Sequence, residues 1–211
     1  MTNKQEAFQA SASTIIKNLD RRGMEGYFFK DAAACKKAIL DSVPKGSSIT
    51  WGGSESIKEI GLMEDILSGD YQALDRTTAK TADERRAFYG KAVMADYFLM
   101  STNALTLDGE LINIDGNGNR VACLIHGPRY VYVVVGMNKI VSDVESGIAR
   151  VRNFAAPPNA VRLNKETPCK YTGRCGDCLS VGSMCNHIVV TRHNGEAGRI
   201  KVFLVAEDLG Y

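Results

Sequence analysis

One stretch limits the fold more than any other. Tyr130-Val-Tyr-Val-Val-Val135 is a near-continuous apolar run. A strand that is apolar on both sides is buried on both faces, and such strands occupy the middle of parallel sheets covered by helices. The rest of the chain repeats this theme. Phe8, Ala12, Ile15, Ile16 and Leu19 share one helical face within residues 3–22, and Gly23 ends that helix. Strand-like runs follow at 26–30, 48–51, 71–74 and 96–100. Helical segments lie between them. One starts at Asp31 as N-cap, with Cys35, Ala38 and Ile39 inward, and a second spans 57–67. A third follows the capping box Thr81-Ala-Asp-Glu84 and reaches about Met94.

Residues 101–119 are rich in Gly, Asn, Asp and Thr and predict a turn-laden loop or hairpin, before a short helix over 120–125. Ser142-Asp-Val-Glu145 reads as a second capping box, with Val144, Ile148 and Val151 on the stripe behind it. Pro157-Pro158 is expected to stop that helix. Runs at 187–191 and 200–205 flank the turn signal Asn194-Gly195 and predict an appended hairpin, or a return to the sheet edge. The expected class is α/β, a largely parallel sheet flanked by helices. Residues 1–156 form the ligand-binding domain in this reading. Residues 157–211 add a Cys-rich loop and closing strands packed on it.

Composition removes several functions. The chain has 211 residues, 45% hydrophobic and 24% charged, enough for a sizeable core. Twenty-six basic residues face 24 acidic ones, so no basic field invites nucleic acid. No basic start followed by an apolar run marks export, and no run of 18 apolar residues marks a membrane span. A cytoplasmic, thiol-reducing setting is expected, where clustered cysteines favour metal over disulfides.

Four of the six cysteines form such a cluster, Cys169-x5-Cys175-x2-Cys178-x6-Cys185. Four thiolates on a Gly-rich loop suit tetrahedral zinc or an iron–sulfur cluster. The spacing is neither a ferredoxin run nor a paired zinc ribbon. Disulfides, free thiols or a redox pair at Cys175 and Cys178 are the alternatives. Cys35 and Cys123 lie in apolar helical contexts and read as core thiols. His126 lies before Gly127-Pro128, where a core or capping role competes with a place in the crevice. His187 is a spare ligand candidate, and His193 lies beside a turn. No nucleophile–histidine–acid order stands out.

Two loops point to an anionic ligand. Trp51-Gly-Gly-Ser54 joins a strand to a helix, where Gly52 and Gly53 let backbone approach a ligand and Ser54 either contacts it or caps the helix. The pattern is neither a dinucleotide nor a P-loop fingerprint. The stretch 95–120 follows a strand, where open α/β sheets place their crevice. It offers Asp96, Asn103, Thr106, Asp108, Glu110, Asn113, Asp115, Gly116, Asn119 and Arg120, many of which also suit ordinary turns. Glu110 is the candidate nucleophile or base, with Asp108 beside it, and Arg120 and Lys139 are the candidate anion holders.

The same residues resemble a known family. Ala95-Asp96, Ser101-Thr-Asn-Ala104, Thr106, Asp108-Gly-Glu110, Asn113, Asp115-Gly116, Gly118-Asn-Arg120, Gly127-Pro128 and Gly136-x-Asn-Lys139 are similar to the lactate-utilisation (LUD) domain family. Trp51-Gly-Gly-Ser54 matches its glycine loop, and Thr167-Pro-Cys169, Gly173-x-Cys175, Asp177-Cys178 and Cys185-Asn186 resemble a subset with a C-terminal cysteine motif. The resemblance implies a fold similar to glucosamine-6-phosphate deaminase, ribose-5-phosphate isomerase and coenzyme A transferase. In that superfamily Asp96, Asp108, Gly109, Asn113 and Gly116 would line the ligand site. It implies a part in oxidising L-lactate to pyruvate alongside iron–sulfur partner subunits. Sugar phosphates or coenzyme A esters are the superfamily's usual ligands, so a transferase- or isomerase-like enzyme with structural cysteines is the alternative. A non-catalytic scaffold for a dehydrogenase complex is another. Trp51 and Val181-Gly-Ser-Met184 depart from the family pattern.

Overall fold

The computed structural model describes residues 3–211. The chain begins α1 (Asn3–Arg21), β1 (Glu25–Phe29), α2 (Ala32–Ser42), β2 (Ser48–Trp51), α3 (Glu55–Glu59), α4 (Leu62–Ser68) and β3 (Gln72–Leu74). It continues α5 (Ala82–Ala92), β4 (Tyr97–Met100), β5 (Ala104–Thr106), β6 (Leu111–Asp115), α6 (Asn119–Ile125), β7 (Tyr130–Gly136) and β8 (Ile140–Val141). It closes with α7 (Val144–Arg150), α8 (Ala156–Arg162), α9 (Pro168–Thr172), β9 (His187–Thr191) and β10 (Ile200–Val205). Among the described residues no helix is long and apolar enough to cross a membrane.

Six strands form a parallel sheet in the order β1-β10-β7-β4-β2-β3. The apolar run 130–135 lies near its centre, as expected. Val131, Val133 and Val135 meet α1 and α6 through Ile15, Leu19 and Leu124. Tyr132 and Val134 meet the helices on the other face through Ile39, Ile57 and Leu62. Each fully buried valine contributes roughly 1.5–3 kcal/mol, and only a two-sided core supplies that on both faces. A smaller sheet, β8-β5-β6-β9, lies beyond the ends of β4 and β7 and packs on a separate cluster of Ala104, Ile112, Val151 and Ala155.

The structure alters several local expectations. The closing strands are not a hairpin. β9 pairs antiparallel with β6, whereas β10 enters the main sheet between β1 and β7 and is not at its edge. Its residues are nearly all buried, which an interior position allows and an edge does not. Asn194 instead ties the connection to the turn after α1, its backbone N–H donating to the Arg22 carbonyl at 2.8 Å. Pro157-Pro158 does not end the helix. They fall in the first turn of α8, where a missing N–H costs little, and the wider turn over Val151–Ala155 carries the chain from α7 into α8. The segment 57–67 splits at Gly61, which adopts φ 68° between α3 and α4. The Thr81–Glu84 capping box forms, but Asp143, not Ser142, caps α7.

Candidate anion cleft and cysteine pocket

The carboxyl ends of β2, β4 and β7 lie side by side and release three loops into one cleft. The loop after β2 brings Gly53, Ser54 and Ser56, that after β4 brings Ser101–Asn103, and that after β7 brings Lys139. Arg120 from α6, Asn159 and Arg162 from α8, and Cys185 complete the lining, around about 710 Å³ including the open mouth. This is where a parallel sheet places its ligand crevice.

Lys139 anchors the floor. It is 4% exposed. Its Nζ donates to Ser56 Oγ at 2.8 Å and to Ser101 Oγ at 3.0 Å. An ammonium has three donors, so these two hydroxyls leave one for a guest. Burial, with the positive charges of Arg150 and Arg120 nearby, pushes Lys139 down to about 7, against a partial opposing pull from Glu59. Near neutral pH it therefore samples both ammonium and amine.

Arg120 is built differently. Its Nε pairs with Asp115 Oδ2 at 3.3 Å. One terminal nitrogen donates to Asn113 Oδ1 and to the Ser101 carbonyl, the latter at 3.4 Å. The other donates to Asn103 Oδ1 at 3.0 Å and the Ile114 carbonyl at 2.9 Å. All five donors stay within the protein, so Arg120 offers a guest its charge and no hydrogen bond. It also clamps β6 to the loop after β4. Burial lowers its pKa, and Asp115 opposes that shift. Arg162 pairs with Glu55 at 3.2 Å. Three cations thus face one carboxylate in the lining.

The predicted residues separate into three groups. Gly53, Ser54, Asn103, Arg120 and Lys139 line the cleft. Ser54 also caps α3, accepting from Ile57 N at 3.4 Å. Gly52, Asn113 and Asp115 stand behind them. A Cβ on Gly52 would lie 3.4 Å from Arg120 Cδ, and Asp115 accepts from Gly118 N at 2.9 Å as it holds Arg120. The rest lie outside. Asp96 bonds Ser48 N and Oγ at 2.9 and 2.7 Å, tying β4 to β2 at the opposite end of the strands. Gly116 packs against Met184, and Asn119 starts α6.

Glu110 and Asp108 are also outside the cleft. They belong to the turn between β5 and β6, which Gly109 closes at φ 84° against the backbone of α1. Glu110 pairs with Arg22 at 3.4 Å, and the Asp108 carbonyl accepts from Arg22 Nε at 2.6 Å. Their sequence pattern reflects a turn docked on a helix. Ser56, Arg150 and Arg162 were not singled out in the sequence, and Ser101 entered only within the Ser101-Thr-Asn-Ala104 run, with no role assigned to it. For Ser56 the available signal was a polar residue beside an apolar Ile57 at a helix start, because α3 turns both inward.

The four clustered cysteines do come together. Cys169, Cys175, Cys178 and Cys185 line one pocket and are free thiols. Cys175 Sγ accepts from Arg152 Nε at 3.2 Å and from Asp177 N at 3.4 Å. Thr167 Oγ1 lies 3.3 Å from Cys169 Sγ. Among the described residues, no three His, Cys, Asp or Glu side chains are arranged to hold a single metal ion. His126, His187 and His193 are exposed and line neither the cleft nor this pocket, while Cys35 and Cys123 are core thiols as expected.

The geometry defines an α/β protein with a cationic cleft at the carboxyl ends of a parallel sheet. The chain belongs to the LUD domain family, whose model matches residues 12–205. A crystal structure of a DUF162 family protein from Deinococcus radiodurans is similar, with TM-score 0.55 and 15% identity over 94% of this chain and 98% of that one. The eIF2B delta structure from Chaetomium thermophilum aligns over 56% of this chain and 50% of its own, at 13% identity and TM-score 0.37. No curated protein matches the chain.

Proposed function

We propose that this LUD-domain protein is a component of L-lactate oxidation to pyruvate, and that its cleft holds a small organic anion against Lys139. One observation carries the reading. A nearly inaccessible lysine, fixed by Ser56 and Ser101, keeps one donor for the cleft and is reinforced by the charges of Arg120 and Arg162. A carboxylate or phosphate oxygen is the natural partner of such a donor. A guest anion also favours the ammonium over the amine, so binding and protonation of Lys139 reinforce each other. Glu110 and Asp108 have no role in this reading.

Family membership supports the link to lactate. The cysteine segment is read as a metal centre, of zinc or iron and sulfide, because four thiols line one pocket. Iron–sulfur partner subunits are the proposed associates. Phe154, Tyr171, Leu179 and Val181 are exposed on or near the cysteine segment and suit a protein contact there.

Thermal unfolding with L-lactate, pyruvate, inorganic phosphate and coenzyme A tests the cleft. A ligand that binds only the folded state raises Tm by mass action. Lactate or pyruvate should raise Tm of the native protein and not of Lys139→Met. A shift with coenzyme A or phosphate alone would favour a transferase- or isomerase-like enzyme. No shift with any of them would contradict the cleft reading.

A further inference from the structure

Lys139 is fixed by two hydroxyls whose own protons are already committed. Ser56 Oγ donates to the Leu209 carbonyl at 3.2 Å, and Ser101 Oγ donates to the Thr102 carbonyl at 3.2 Å. A hydroxyl has one proton, so each presents only lone pairs to Lys139 Nζ, which donates to them at 2.8 and 3.0 Å. This polarity decides what the neutral form of the lysine can do. An amine has two N–H bonds and one lone pair. Ser56 and Ser101 take both N–H bonds, so the lone pair falls where the third N–H of the ammonium would point. That is the position left for a guest in the cleft, which Lys139 lines.

The surroundings favour the amine. Burial disfavours the ammonium most, the charges of Arg150 on α7 and Arg120 on α6 add to that effect, and Glu59 on α3 opposes them in part. The other nucleophilic groups of the lining are engaged elsewhere. Ser54 caps α3. Cys185 belongs also to the cysteine pocket, which shares Ile114, Ala156 and Met184 with the cleft, and is a proposed metal ligand. A buried amine with a free lone pair suits attack on a carbonyl carbon. Its guest needs a carbonyl for the amine and an anionic group for the charges of Arg120 and Arg162. A 2-oxo acid carries the two on adjacent carbons.

We infer that Lys139 captures 2-oxo acids covalently, as an imine, besides holding anions by hydrogen bonding. The lone pair of Nζ forms a bond to the carbonyl carbon as the C=O π electrons move to oxygen. Both amine hydrogens pass to that oxygen by way of solvent, the oxygen leaves as water, and the C=N bond closes. No oxidant or reductant is consumed. The ammonium holds a carboxylate and the amine attacks a carbonyl, so one residue serves two kinds of guest. L-Lactate has a hydroxyl in place of the carbonyl and binds without a bond to Nζ. The inference rests on the reading of the cleft as an anion site.

Full-length protein incubated with pyruvate and cyanoborohydride, which reduces an imine to a stable secondary amine, provides the test, with mass spectrometry of proteolytic peptides to locate the adduct. The adduct should form at Lys139 at least about tenfold faster than at exposed lysines near pH 7, where an ordinary lysine of pKa about 10.4 is almost wholly ammonium. Its rate should climb with pH to about 7 and then level off, whereas exposed lysines should gain up to about 10. Unfolding in urea should erase the preference. Excess L-lactate should slow the reaction at Lys139, and acetone, a carbonyl without a charge, should react there more slowly than pyruvate.

A Tm rise with pyruvate or L-lactate and no adduct at Lys139 would overturn the covalent step and leave the anion reading standing. Neither a Tm rise nor an adduct would overturn both. Adducts confined to exposed lysines, or acetone reacting at Lys139 as fast as pyruvate, would overturn the assignment to 2-oxo acids. A pyruvate adduct at Lys139 in protein whose Tm L-lactate does not move would support the imine and overturn capture of that anion by hydrogen bonding alone.

Discussion

The floor of the cleft and the cysteine pocket share a wall but are built in opposite ways. Lys139, nearly inaccessible, and Arg120, partly buried, stand beside strand ends with hydrogen-bond partners on several elements. The cysteines ride a segment on which Leu179 and Val181 are fully exposed, and the hydrogen-bond partners of Cys169 and Cys175 are Thr167, Asp177 and Arg152, two of them on that same segment. A site on strand ends takes its geometry from the fold, before any ligand arrives. A site on a loop takes much of its order from what it binds, because metal binding and folding are linked. Damage to the first should therefore reach the fold, and damage to the second should be confined to the metal.

The largest expected effect tests the first half of that contrast. Arg120→Ala leaves Asp115 buried without its partner and frees four further acceptors. Removing one member of a buried pair costs about 3–5 kcal/mol. Urea unfolding should show that loss, and a change below about 1 kcal/mol would mean that Arg120 is not the clamp described.

Lys139→Met comes next and separates binding from stability. A hydrogen bond to a charged group contributes about 1.5–3 kcal/mol, so affinity for the anion that binds the native protein should fall roughly ten- to a hundredfold while the fold survives. Stability should also change its pH response. Lys139 is lowered in the folded state from 10.5 to about 7. Between those values the unfolded chain binds the extra proton, so stability rises with pH across that window. Below about 7 both states are protonated, and the cost of the buried ammonium is fully present. Lys139→Met should flatten the rise. Equal slopes in the two proteins would place Lys139 in water.

The smaller effects test the second half. Glu110→Gln removes one pair near the surface and should cost no more than about 1 kcal/mol, with anion affinity unchanged. A large loss of affinity would return Glu110 to the site. Cys175→Ser in metal-free protein should move stability by about 0.5 kcal/mol or less, as at other surface positions. A much larger loss would show that the thiols support the fold without metal.

The contrast also explains what could be read from the residues alone. The central strand was legible in 130–135 because burial on both faces leaves no polar position. The Thr81–Glu84 capping box was legible because its bonds are local. The path of β10 was not. A turn signal at Asn194-Gly195 is local, whereas insertion between β1 and β7 depends on partners more than sixty residues away. The same limit applies to function. Lys139 and Arg120 were visible as cations after a strand and at a helix start. Ser56 and Ser101, which fix Lys139, come from loops that only the sheet order brings together. Glu110 attracted notice through a dense run of Asp, Gly and Glu, and that density belongs to a turn against α1.

Calorimetric titration of L-lactate and pyruvate at pH about 6 and about 9, on either side of the Lys139 midpoint, tests the central claim most directly. The native protein should bind at least one of them, more weakly at the higher pH, and Lys139→Met should bind neither with comparable affinity. Binding that is indifferent to pH and survives in folded Lys139→Met would contradict the account.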